Sequence, residues 1–179
     1  NTEVFKGQGF TVNQGIQVNE YLETGVGDIW AAGDIAEYWS TVFEHYEVVG
    51  NWNSAFVQGR VAGLNMVTSL QGEGTRTPFA DISTYSITAL GSHVTFVGDA
   101  FLASGRQSVS RVDPASAFYE RFFFTGDRLV GAVIINKFED KKILETLMKG
   151  RVSVAGVTGA FEDPSFDLST IRINEQRSR

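Results

Sequence analysis

Hydrophobic and polar positions fall into several distinct patterns along the chain. Residues 1–15 are polar and glycine-rich, and Ile16-Gln17-Val18 alternates like a short strand. Asp28 precedes the apolar run Ile29-Trp30-Ala31-Ala32, which is too short for a helix and ends at Gly33-Asp34. That run predicts a buried strand with a Gly-Asp turn at its C-terminal end. Residues 35–50 mix aromatics with acids in no clean period and read as a functional or covering loop. Asn51, Asn53 and Ser54 are all good N-cap residues, and Phe56, Val57, Val61, Leu64 and Val67 follow at helical spacing. A helix over about 54–69 is the result. Within it Gly59 and Gly63 lie on one face, each costing about 1 kcal/mol relative to Ala. Close packing of that face on a strand would explain them.

Gln-Gly-Glu-Gly-Thr-Arg-Thr-Pro at 71–78 has the composition of a linker. Beyond it Tyr85–Leu90 and Val94–Val97 predict strands split by Gly91-Ser92. Phe118–Phe124 and Leu129–Ile135 predict two longer strands joined by Thr125-Gly126-Asp127-Arg128, a hairpin signal. Asp140–Lys149 is an amphipathic helix with Ile143, Leu144, Leu147 and Met148 inward, closed by Gly150. The tail from Arg151 is polar and fits either strand or helix. The part before the linker therefore reads as an α/β fragment and the part after it as an α+β unit. The expected division is 1–70, a linker at 71–78, and 79–179.

Composition narrows the function. The 179 residues are 42% hydrophobic and 20% charged, ordinary globular values that exclude a disordered chain. Fifteen basic against twenty-one acidic residues give a net charge of −6, which argues against nucleic-acid or anionic-membrane partners. Cysteine is absent, so no disulfide, thiolate metal site or redox dithiol lies in these residues. With only His45 and His93, a His-rich metal site is excluded as well. No apolar stretch is long enough to span a bilayer. The opening Asn-Thr-Glu-Val has neither an initiating Met nor a signal-peptide profile, which suggests a processed chain or a piece of something longer.

No G-x-G-x-x-G and no G-x-x-x-x-G-K-[ST] occurs, so these residues alone lack the usual means of cradling a nucleotide's phosphates. The stretch Thr24-Gly25-Val26-Gly27-Asp28-Ile29-Trp30-Ala31-Ala32-Gly33-Asp34 is more specific. It resembles the second FAD-binding motif of the pyridine nucleotide-disulfide oxidoreductase family. Asn51-Trp52-Asn53-Ser54-Ala55, Gln58-Gly59-Arg60, Ala62-Gly63 and Asn65-Met66 follow in the family's order. Leu129–Ile135 before a short helix resembles the family's C-terminal domain. The resemblance implies the C-terminal portion of a family member: the end of a Rossmann-like FAD domain, then an α+β reductase dimerisation domain. The first FAD fingerprint and the NAD(P)H domain would lie upstream.

The same resemblance implies roles for particular residues. Gly33 would let the cofactor approach the backbone closely, and Asp34 would accept a charge-assisted hydrogen bond from a ribityl hydroxyl. Taken alone, Asp34 could instead be an N-cap. Ile35 follows in the same turn. Trp52, Asn53 and Ser54 open the helix whose N-terminal partial charge would face the electron-rich edge of the flavin, although Trp52 also fits a hydrophobic staple. Phe122, Phe123 and Phe124 read as core and dimer interface.

Neither His is followed by Pro, and no His occurs after His93, so the acid/base pair of classical disulfide reductases is missing. The closer match is the NADH-dependent electron-transfer branch, which includes rubredoxin reductase and apoptosis-inducing factor. The expected protein is then a cytoplasmic, homodimeric FAD-dependent NAD(P)H oxidoreductase passing electrons to an unspecified acceptor, with no catalytic side chain in this region. The isolated residues would be inactive. The alternative is a stand-alone interaction module without cofactor.

Overall fold

The computed structural model describes residues 1–72, 74–102 and 105–171. The chain divides into two compact units, Asn1–Asp81 and Ile82–Arg179.

In the first unit β1 (Ile16–Val18), β2 (Ala36–Ser40) and β3 (His45–Glu47) form a sheet in that order. β1 and β2 run parallel, with Ile16 beside Ala36 and Val18 beside Tyr38, and β3 returns antiparallel. Gly15 sits where any Cβ would fall 2.6 Å from the Ile35 carbonyl, so the approach to β1 requires glycine. One long helix, α1 (Trp52–Gln71), covers the sheet. The core joins Ile16, Val18, Leu22, Ala36 and Tyr38 to Val61 and Ala62 of the helix and to Phe79. The expected helix is thus present and slightly longer than its apolar period.

Two expectations change here. Residues 29–32 do not form a ladder: only Trp30 bridges, to Glu23, and Ile29 is exposed. The extended backbone is present, but it meets neighbours on one side only, through Thr24 to Ile29 and Ala31 to Leu22. Residues 35–50, expected as loop, hold the β2–β3 hairpin. Its mixed polarity hid it, because Glu37 is an inward residue held by Asn13 (2.9 Å) and the Gly15 N–H (3.4 Å). The glycines of α1 also differ from expectation, since a Cβ at Gly59 or Gly63 would meet nothing within 4 Å. That side of the helix is open.

The segment after α1 folds back on the first unit. Gly72 caps the helix in the left-handed conformation. Buried Asn65 then donates to the carbonyls of Tyr21 and Thr77 and accepts from the Thr77 N–H. Arg76 pairs with Glu23 at 2.7 Å and lies over the Tyr21 ring.

The second unit is a five-stranded antiparallel sheet, ordered β4 (Thr84–Ala89), β5 (Ser92–Gly98), β8 (Arg128–Ile135), β7 (Phe118–Thr125) and β6 (Gln107–Asp113). The helix α2 (Lys141–Lys149) packs Leu144, Leu147 and Met148 onto it. Phe161 meets Phe122 and Phe124 edge-on at 4.9 and 5.2 Å, placing the aromatic triplet of β7 in the core as expected. Strand β6 went unread in the sequence because its fully buried residue is Arg111. Its Nε donates to Glu120 at 2.6 Å, Nη2 to Asp140 at 2.7 Å, and Nη1 to the carbonyls of Asp163 and Phe166. Burial outweighs these cations and pushes Glu120 up to about 7.

Candidate functional site

The site grows from the junction of the turn Gly33–Ile35 with the start of α1. Ala32 leaves its extended segment at φ −147, and Gly33 turns the chain at φ +78, a conformation costly for a side chain. A Cβ at Gly33 would also lie 3.4 Å from that of Ala55. The turn is therefore pressed against the first turn of the helix, and glycine permits both the angle and the approach.

The helix start is well capped. Asn51 is the N-cap, its side chain accepting from Ser54 N–H at 2.8 Å. Its carbonyl accepts from Ala55. The N–H groups of Trp52 and Asn53 have no intrahelical acceptor and carry the positive end of the helix dipole.

Asp34 follows Gly33 and is exposed, with its carboxylate bound to no group among the described residues. Because Asn51 performs the capping, the reading of Asp34 as the cap of α1 falls away. Ser54, by contrast, is buried and accepts from Gln58 Nε2 at 3.1 Å. Trp52 is 80% exposed and stacks on Phe56 at 5.6 Å, rather than closing the helix entrance as a buried staple. Asn53 is exposed and Ile35 half-buried. Gly33 and the α1 entrance are thus adjacent, with Asp34 and Ile35 completing the same turn and Trp52 and Asn53 opening the helix.

Sequence reasoning missed Gln58. It is fully buried, and its Oε1 accepts from Gly33 N–H at 2.7 Å. The signal was available, since a polar residue one turn inside a helix, on the same face as Ser54, must find partners if that face is covered.

Further away, Glu23–Trp30 and Ser69 line a concavity of about 280 Å³. No group of three or more metal-binding side chains occurs among the described residues, and no described helix is long and apolar enough to cross a membrane. His93 lies beside Thr88 and edge-on to Phe138, without a carboxylate partner among the described residues. Asp99 pairs with Arg106 at 2.7 Å at the end of a strand.

A mixed α+β fold with a glycine–aspartate turn seated on a helix N-terminus defines a class of nucleotide-cofactor oxidoreductase fold. Residues 1–59 match the family described as Pyridine nucleotide-disulphide oxidoreductase. Over 157 residues, 87% of the chain, it is 25% identical to the assimilatory nitrate reductase electron transfer subunit of Bacillus subtilis. Over 65 residues, 36% of the chain, it is 38% identical to the NADH-rubredoxin oxidoreductase of Clostridium acetobutylicum. A solved ferredoxin reductase from Rhodopseudomonas palustris shares its fold over 94% of the chain, with a TM-score of 0.75 at 23% identity. The chain spans 19% and 16% of those two curated relatives and 39% of that structure. The resemblance read from the sequence is borne out, as is the mixed α+β fold class.

Proposed function

We propose that the chain forms the C-terminal part of an FAD-dependent NAD(P)H oxidoreductase and supplies one end of its flavin site. The observation that carries this reading is the Gly33–Asp34 turn pressed on the capped start of α1, with the Asp34 carboxylate free. The donor set suits FAD. A free carboxylate can accept from a ribityl hydroxyl, and unpaired N–H groups at Trp52 and Asn53 can face an electron-rich ring edge. Gly33 and Ile35 leave room beside the backbone, Ser54 holds the helix entrance, and Trp52 offers an exposed aromatic face. When bound, the flavin supplies hydride acceptance from NAD(P)H and onward electron transfer. The residues of this chain bind and orient; none acts as nucleophile, acid or base.

The names of its relatives support an electron-transfer partner whose identity stays open. A homodimer and a cytoplasmic location belong to the same proposal, and exposed Tyr85 and Ile87 on β4 offer apolar surface for the dimer.

The test is to express the longest polypeptide that carries this chain and measure bound flavin and NAD(P)H oxidation. A yellow, NAD(P)H-oxidising protein is expected, with Asp34→Ala losing most of its flavin. Colourless protein that cannot take up FAD defeats the reading. The 179 residues alone, lacking G-x-G-x-x-G, are expected to bind FAD negligibly and to turn nothing over.

A further inference from the structure

We infer that Gln58 is a positioning residue that locks the Gly33–Asp34 turn onto α1 and so fixes where Asp34 presents its carboxylate to the flavin. This rests on the flavin reading above. Gln58 is wholly buried, and an amide in that position is stable only with its hydrogen bonds made. Both bonds go to the site: Oε1 accepts from Gly33 N–H at 2.7 Å and Nε2 donates to Ser54 Oγ at 3.1 Å. Gly33, at φ +78, has no side chain of its own to hold it, and the residue after it is exposed. The turn's orientation is therefore set before any ligand arrives, which lowers the ordering cost of binding.

The choice of an amide over a carboxylate also has a chemical consequence. Glutamate at position 58 could accept from Gly33 N–H and from the Ser54 hydroxyl, reproducing the geometry. It would add a desolvated negative charge beside the helix end that faces the flavin, and so oppose flavin reduction.

Two variants separate geometry from charge. Q58M removes both hydrogen bonds at similar volume; Q58E keeps the clamp and adds the charge. In the flavin-bearing polypeptide, Q58M is expected to weaken FAD binding roughly ten- to a hundredfold, the usual consequence of orphaning a buried N–H. In the 179-residue chain, amide exchange by NMR is expected to show Gly33 N–H protected, and exposed in Q58M. Q58E is expected to restore that protection and FAD affinity to near wild type while making the flavin midpoint potential more negative. Wild-type affinity and Gly33 protection in Q58M, or an unchanged potential in Q58E, overturn the inference while the flavin reading stands. A wild-type polypeptide that takes up no FAD overturns both.

Discussion

The two units treat their large side chains differently. In the second, the aromatic triplet of β7 is covered by Phe161, and α2 turns its apolar residues inward. Even a guanidinium is buried there with every nitrogen bonded. In the first, α1 seals its sheet with one face and leaves the other open, with Phe56 at 60%, Leu64 and Val67 at 50% and Leu70 at 87% exposure. Gly59 and Gly63 lie on open ground in the same helix. Charge follows the same division, since residues 1–81 hold ten acids and three bases while residues 82–179 are nearly balanced. The second unit finds its own partners; the first presents apolar surface that its own sheet does not use. A site assembled at the open end of α1 fits that contrast.

The contrast breaks most visibly at Arg111. Arg111→Ala strands the Glu120 and Asp140 carboxylates and frees the carbonyls of Asp163 and Phe166. A loss of about 3–5 kcal/mol is expected in urea unfolding followed in the second unit. Phe161→Ala opens a cavity among Phe122, Phe124 and Phe166, with a comparable loss of about 3–5 kcal/mol by the same measurement.

A smaller effect depends on pH. Glu120 ordinarily titrates near 4.5, and burial raises it to about 7 in the folded state. Between those values the unfolded chain has lost the proton that the folded chain keeps. The second unit is therefore expected to lose stability as pH rises from about 4.5 to about 7, and Glu120→Gln should flatten that slope. Hydrogen bonds from Ser116, Ser153, Ser165 and Ser169 hold Asp113, Asp127, Asp163 and Asp167 below the ordinary carboxylate value. Their contribution is lost only as pH falls below that range, so a stability scan distinguishes the two effects.

The smallest effect belongs to the open face. Leu70→Ser and Phe56→Ser are expected to change the stability of the isolated chain by no more than about 0.5 kcal/mol in thermal or urea unfolding. A larger loss would mean that α1 is not open on that side.

Where hydrophobic period and burial agree, the sequence was readable. The α1 pattern, the β7–β8 hairpin with its Thr125–Arg128 turn and the inward face of α2 all stand as expected. Readability failed where polar residues point inward. Glu37 broke the alternation of β2, and Arg111 broke that of β6, because each is buried against partners distant in the chain. The apolar run 29–32 failed for the opposite reason: its residues suit a buried strand, but the ladder they need is present on one side only. At the site, the Gly-Asp turn and the N-cap region were visible as motifs. The contact between Gly33 and Ala55, and the amide that joins them, required three-dimensional proximity across 25 positions of sequence.

The anchoring of Thr77 by Asn65, with Phe79 in the first core, has a bearing on proteolysis. A chain cut at Gly74 would not come apart, because the stub that begins the downstream piece would still hang from the upstream one by three hydrogen bonds and a buried ring. Cleavage would be seen on a denaturing gel and missed by gel filtration.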